Sequence, residues 1–452
     1  HPGCGPTRKS PVLAKQVSER LWVSLFSSFW RELPVDQVPV APGAEDFPGL
    51  VHKSVKRITA SLTLGPGIKP GWNSSGYYLN AGEVMTIKVL EGNSAGWRVR
   101  VGCHKDLLWH LDVWRRWPEI TIERELSVDE NNEIKIATPW GGSVYFIKTE
   151  AADNNSVAIE IDGVVAQPLF DANNPSSDSD WKRSKKHAAP WTELVGRNVI
   201  LSLPTASIAK LKKPREVTDY WDATLAGHCD LGAIPMLARP ERFVGDVQIS
   251  AGYMHSGYPI MTWMDVVTPS NGRPAPVLDL RLLRKDGNWG YFHELGHNRQ
   301  RGWWTFSGTG EVTNNLFSLY GGELMAGIEP WNNKWLAGQK KSAAKYLADG
   351  ADWSKWKRSP GIALVSFAMI QREFGWEPFK DFFSKYENLP KSNLPKNDQD
   401  KIDGWVLHLS IILELDLRPY FQKWGWPLSN HILESDKLNL LKPWKADFSW
   451  AT

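Results

Sequence analysis

Apolar positions recur with a helical period at only one place in the first quarter of the chain. Over residues 14–33, Leu21, Leu25 and Phe29 stand every fourth position, with Trp22 and Phe26 beside them, which predicts an amphipathic helix. The proline-rich PVDQVPVAPGAEDFPG that follows predicts an extended linker. From about Ser54 to Val165 the period drops to two. ITASLTL, EVMTIKVL, WRVRVGC, ITIEREL, NEIKIAT, SVYFIKT and VAIEIDGVV alternate apolar and polar residues and are separated by Gly, Asn and Asp. Seven such runs at close spacing predict an antiparallel β-sandwich. Residues 166–190 read as a polar loop ending in KRSKKHAAP, a solvated basic run. Beyond Trp191, VILSLP and VGDVQIS read as strands, and the stretches after Trp289 take a helical pattern. The expectation is a multidomain α+β protein with a small sheet and a helical lobe after the sandwich. The implied division is 1–50 for helix and linker, 51–170 for the sandwich and 190–452 for the second domain.

Composition narrows this without redirecting it. At 452 residues the chain exceeds one ordinary core. Net charge is +3, close to balance, which gives no basis for nucleic-acid binding. No apolar run is long enough to span a membrane. Tryptophan, at 25 residues, points to aromatic cores, with stacking on sugars as the alternative use; Trp109, Trp114 and Trp117 read first as packing. Three cysteines, Cys4, Cys103 and Cys229, fit neither a metal motif nor a disulfide framework. A chain opening at His1 reads as a processed product or a fragment.

The chemistry concentrates at residues 293–297, His-Glu-Leu-Gly-His. On a helix, His293 and His297 stand one above the other, so their imidazoles can meet one tetrahedral Zn²⁺. Glu294 sits one position on, placed to act as base on a water beside the metal. Gly296 costs roughly 1 kcal/mol against Ala in a helix interior, so a neighbouring element is expected to approach closely there. Glu311 opens the next helical stretch. The intervening residues 298–310 allow a turn and return, making it the third ligand and leaving a fourth position open, as in a catalytic zinc site. Asn315, one turn further, can accept from the free N–H of a zinc histidine, with Asn314 as its rival. Upstream, Tyr253, His255, Tyr258 and Trp263 lie in VQISAGYMHSGYPIMTW, which reads as strand, turn, strand and as a wall for extended substrate. Trp303 and Trp304 follow the zinc helix; they either offer indole faces to a sugar or close the core beneath the turn. Tyr320 and His408 are the candidates for steadying an oxyanion.

Several ordered stretches, GWNSSGYYLNAGE, VGCHKDLL, PWGGSVYFI, RPERFVGDVQISAGYMHSGYPIMT, HELGHNRQ, FGWEPF and FQKWGWP, resemble the enhancin-like, mucinase-type gluzincin metallopeptidases. Within them the chain is most similar to the vertebrate TRP channel-associated factors. The resemblance spans roughly residues 70 to 428. It implies a sandwich ahead of a gluzincin domain, metal roles for His293, His297 and Glu311, and the base role for Glu294. It also implies O-glycosylated protein substrates. Arg299 departs from the uncharged residue common in that family. The channel-associated relatives imply a second role, binding a membrane channel, and a cytoplasmic or membrane-associated location; a secreted enzyme is the alternative. They carry a further domain before the sandwich, which residues 1–50 are too short to supply. Two functions therefore stand side by side: a zinc endopeptidase and a channel-regulating binding protein that keeps its zinc. Glu294 separates them, because a purely structural metal needs ligands but no base.

Overall fold

A computed structural model describes residues 5–152 and 154–451. Cys4 lies outside them. The chain is mixed α+β. It divides into two compact units: residues 1–222 with 237–280, and residues 223–236 with 281–452.

In the first unit, helix α1 (Val17–Glu32) forms where the apolar period predicts it. The predicted ridge is not its buried face, however. Leu21 and Leu25 are each 58% exposed and Phe29 55%, while Val23, Ser27 and Trp30 are buried. Trp22 and Trp30 instead pack with Trp117 at ring separations of 5.6 and 5.0 Å. Trp114 and Trp117 are buried in this same cluster, so packing accounts for them.

Eight strands follow: β1 (Ile58–Leu64), β2 (Gly71–Leu79), β3 (Val84–Gly92), β4 (Trp97–Val101), β5 (Ile122–Glu125), β6 (Glu133–Ala137), β7 (Gly142–Lys148) and β8 (Val157–Ala166). Each of the seven alternating runs overlaps one of them. They form a single antiparallel sheet in the order β5-β4-β7-β2-β8-β3-β6, with β1 also paired to β8. The sheet curls at β8. Residues 157–161 of that strand pair with both β1 and β3, and Val165 and Ala166 pair with β2. Gly163 makes the bend possible, with φ +84° and a backbone so close that a Cβ would lie 2.3 Å from the Val84 carbonyl oxygen. Inside the curl, Leu64, Met85, Ile87, Trp97, Phe146 and Ile159 belong to one apolar cluster.

Strand β2 went unread because residues 73–76, Asn-Ser-Ser-Gly, are polar. The structure gives their side chains partners: Ser75 Oγ donates to the Val144 carbonyl at 2.6 Å and Ser74 Oγ to Glu193 at 2.8 Å. The expected polar loop at 166–190 is also partly ordered, into β9 (Leu169–Asp171) and α2 (Ser177–Ser184).

Strands β10 (Trp191–Val195) and β11 (Val199–Pro204) lead to helix α3 (Pro214–Leu231). After it come β12 (Glu241–Asp246), β13 (Met254–His255) and β14 (Ile260–Trp263). They complete a mixed sheet in the order β9-β10-β11-β12-β14-β13. Buried charge joins this sheet to the curled one. Arg242 on β12, wholly buried, forms an ion pair with Glu193 on β10 and donates to Ser202 on β11 and to the Trp72 carbonyl of β2. Tyr145 on β7 donates to Glu193 at 2.7 Å. Removing one member of such a pair leaves its partner charged in a dry site, which costs roughly 3–5 kcal/mol. Glu193→Ala is expected to lower the stability of this unit by about that amount in denaturant unfolding followed by tryptophan fluorescence. A change below about 1 kcal/mol would show that the network holds nothing together.

The second unit is helical apart from one short strand pair, among its described residues. Helices α4 (Trp289–Arg299), α5 (Gly310–Ala326), α6 (Lys334–Ala348), α7 (Pro360–Phe374), α8 (Glu377–Glu387) and α9 (Asp398–Leu413) surround an aromatic core.

Candidate metal centre

Helix α4 begins where the Asn288 side chain accepts from the Tyr291 backbone N–H at 3.1 Å, capping the first turn. It ends at Gln300, whose backbone is extended. Helix α5 crosses it at very short range. A Cβ at Gly296 would lie 2.5 Å from the Asn314 carbonyl oxygen, so only glycine admits this approach. The crossing brings three donors together: His293 Nε2 to His297 Nε2 is 3.1 Å, His293 Nε2 to Glu311 is 3.0 Å, and His297 Nε2 to Glu311 is 3.4 Å. Two ligands bonded at zinc–nitrogen length around a tetrahedron stand roughly 3.3 Å apart, the size of this triangle.

Two amides fix which face of each imidazole is free. Asn315 donates its NH₂ to the Glu311 carbonyl at 2.7 Å, which turns its Oδ1 toward His293 Nδ1 at 2.8 Å. Gln300 donates to the Gly310 carbonyl and to Thr313, which turns its Oε1 toward His297 Nδ1 at 2.8 Å. Both histidines then carry their proton on Nδ1, and both Nε2 lone pairs face the Glu311 carboxylate. Converging lone pairs and a carboxylate repel one another unless a cation sits among them. The residues present therefore fit a zinc ion by donor type, spacing and tautomer. Asn314 is buried and does something else: its Nδ2 lies 3.1 Å from both ring nitrogens of His293, over the ring, and 2.9 Å from His297 Nε2. Gln300 was missed in the sequence because it lies beyond the helix. Its signal was position alone, three residues after a ligand.

Glu294 is buried at 6% exposure on the same helix. Behind α4, the His228 ring from α3 is wholly buried, with its nitrogens 2.9 and 3.0 Å from the Thr224 and Phe292 carbonyls. Burial pushes its pKa down to about 4, so it is neutral at pH 7. Arg299 is buried as well and donates to Cys229 Sγ at 3.7 Å.

The remaining candidates are placed elsewhere. Tyr320 lies nine residues after Glu311, which is about half a revolution round α5 and roughly 14 Å along it. Its hydroxyl donates to Asp230 at 2.7 Å, and Lys380 pairs with the same carboxylate. His408 on α9 packs against Tyr386 and Phe382, and burial pushes its pKa down to about 4. Trp304 is 1% exposed and stacks between Phe317 and Phe383, so it presents no face to a sugar. Trp303 is half-buried against the same core. In the first unit, β13 is the edge strand of its sheet. There His255 Nε2 lies 2.8 Å from Asp106 and Tyr253 donates to Asp265 at 2.6 Å. The Tyr258 hydroxyl accepts from the Trp72 N–H at 3.1 Å, and its ring lies under Arg239.

Residues 163–425 match the peptidase M60, enhancin and enhancin-like family, and residues 55–162 match the N-terminal domain of M60-like peptidases. The chain belongs to the M60 peptidase family. It is 36% identical to human TRPM8 channel-associated factor 2 over 406 residues, covering 87% of this chain and 42% of that protein. It is 33% identical to bovine TRPM8 channel-associated factor 1, covering 84% and 40%. The chain thus spans about two-fifths of the length of these curated relatives. Among solved structures, a Bacillus anthracis protein of unknown function aligns with TM-score 0.66 at 21% identity, covering 87% of this chain and 81% of that one. The ZmpB metallopeptidase of Clostridium perfringens aligns at 0.62 and 15%, covering 85% and 80%. IMPa of Pseudomonas aeruginosa, solved with an O-glycopeptide, aligns at 0.60 and 16%, covering 96% and 62%. At these identities the likeness is one of fold.

Two outcomes follow for the metal centre. Gln300→Ala is expected to weaken zinc binding by about 10- to 100-fold, measured by competition with a chromogenic chelator, because His297 loses the acceptor that orients it. Gly296→Ala is expected to push α5 from α4 and weaken zinc as much or more, with a lower melting temperature. Unchanged zinc affinity in Gly296→Ala would refute the close approach as the determinant of the site.

Proposed function

We propose that this chain is a zinc-dependent endopeptidase of the gluzincin type that cleaves O-glycosylated, mucin-like proteins. The observation that carries the reading is the convergence of His293 Nε2, His297 Nε2 and Glu311 with both tautomers set by amides, next to an intact Glu294. Bound there, zinc supplies Lewis acidity to the site. Glu294 takes the proton of the attacking water and returns it to the leaving amine. In this reading the curled sheet at 51–170 is the sandwich that positions substrate, residues 190–452 carry the peptidase, and residues 1–50 form the helix and linker. Edge strand β13 pairs with extended peptide, and Tyr253, His255 and Tyr258 flank it; Trp303, in the second unit, is a separate candidate for contact with substrate. The glycan part of the proposal draws on the neighbour solved with an O-glycopeptide.

A second reading, a channel-associated regulator that keeps a zinc site, is supported by the names of the relatives at 33–36% identity. It goes with a cytoplasmic or membrane-associated location, and the peptidase reading also allows secretion. Among the described residues no helix is long and apolar enough to cross a membrane.

The deciding measurement compares one peptide with and without its O-glycan, using wild type, wild type with chelator, and Glu294→Gln. The wild type is expected to cut the glycosylated form. Glu294→Gln should keep full zinc content and lose at least roughly 100-fold in rate. Zinc-loaded wild type that cuts neither peptide would transfer the case to the regulator. Wild-type turnover by Glu294→Gln would remove Glu294 as the base.

A further inference from the structure

Two lysine-rich runs, far apart in sequence, meet in the first unit. One is residues 182–186, KRSKK, which closes α2; the other is residues 210–213, KLKK, which leads into α3. The Lys185 ammonium donates to the Leu211 carbonyl at 3.3 Å and to that of Ala209 at 3.5 Å. Beside this contact lies a cavity of about 450 Å³. Its apolar lining includes Val217 and Leu278, both buried, with Leu211 and Pro274. Lys210, Lys212, Lys213 and Arg273 also line it, all exposed. Glu216 is the one carboxylate in the lining and pairs with Lys213 at 2.7 Å. Four cations against one carboxylate leave a net charge of +3 at the mouth. Lys210, Lys212 and Arg273 have no carboxylate partner among the described residues.

Either half of this arrangement alone would be unremarkable. Surface lysines are ordinarily solvated, and a small apolar dent ordinarily closes by repacking. Together they select a ligand class. An apolar hollow of this size lies within the range of small-molecule sites and excludes a bare anion, which would leave it empty. The unpaired cations exclude a neutral hydrocarbon as the best occupant, because its end would leave them uncompensated. We infer that the cavity is a binding site for an amphiphile with an anionic head and an alkyl tail, the tail against Val217 and Leu278 and the head at Lys210, Lys212 and Arg273. The same chemistry comes from a monomeric soluble amphiphile or from a lipid still in a bilayer, and a volume of about 450 Å³ suits the single chain of the former.

The test is calorimetric titration of the full chain with decyl phosphate below its micelle concentration, alongside decanol and inorganic phosphate. Decyl phosphate is expected to bind, and the other two about tenfold or more weaker, with the preference shrinking at high salt. The double variant Lys210→Glu with Arg273→Glu should weaken decyl phosphate by about tenfold or more and leave decanol unchanged. Ala206→Trp, an exposed position in the lining, fills the hollow and should abolish binding of the alkyl probes. Melting curves of each variant show that the fold is kept. Equal affinity for decanol and decyl phosphate overturns the role of the cations. Equal affinity for inorganic phosphate overturns the role of the hollow. Capture of phosphatidylserine vesicles that survives Ala206→Trp would assign the cations to a bilayer surface instead. None of these readouts involves zinc or peptide cleavage.

Discussion

The backbone contact between Gly296 and the Asn314 carbonyl sets everything at the metal centre. Side chains of ordinary size hold two helices 8–10 Å apart. A residue with no Cβ lets α4 and α5 come closer, and Glu311 then reaches the same point as two histidines on the facing helix. The neighbouring amides add direction to proximity: each spends its NH₂ on a carbonyl or hydroxyl of the α4–α5 connection or of α5, so its oxygen can only face an imidazole. Metal affinity and the geometry of the loop at 300–310 are therefore one property. An ion bound there would add its binding free energy to the stability of the helical unit, since the converging lone pairs and carboxylate are unfavourable neighbours without a cation.

The first unit is held by the opposite arrangement, in which two buried guanidinium groups each have a counterion. Arg242 with Glu193 and Arg116 with Asp246 are almost wholly buried, and each guanidinium also reaches backbone carbonyls. Such pairs contribute little net stability, but they specify where strands must sit, because a shifted register strands a charge. That explains how β2, with a polar centre and no apolar alternation, takes a central place in the curled sheet: Ser74 and the Trp72 carbonyl are part of the charge network.

What was legible in the sequence follows from the same physics. Period-two alternation arises when one strand face is buried, and it exposed every strand of the curled sheet except β2, whose position is fixed by hydrogen bonds. The ridge of Leu21, Leu25 and Phe29 marked α1 but misjudged its inner face, because tryptophans at positions 22 and 30 reach the core ahead of the leucines. The three donors were readable because helix periodicity and a short return constrain them. Gln300 was not, since its role depends on the path of the chain after the helix, which has no period, and Trp304 stood between two readings for the same reason. Tyr320 is different: once α5 is taken as one continuous helix, simple rotation carries it away from Glu311.

Fold and family leave the activity open for a physical reason. The likeness to IMPa and ZmpB, at 15–16% identity, concerns the framework, and the named association of the TRPM8 relatives belongs to proteins more than twice the length of this chain. The discriminating features are therefore internal. A metal that only braced two helices would need three donors and a closed fourth position. It would not need a carboxylate one residue from the first ligand. Glu294 is buried one residue from His293, and in the proposed reading it is the group that handles a proton beside the metal.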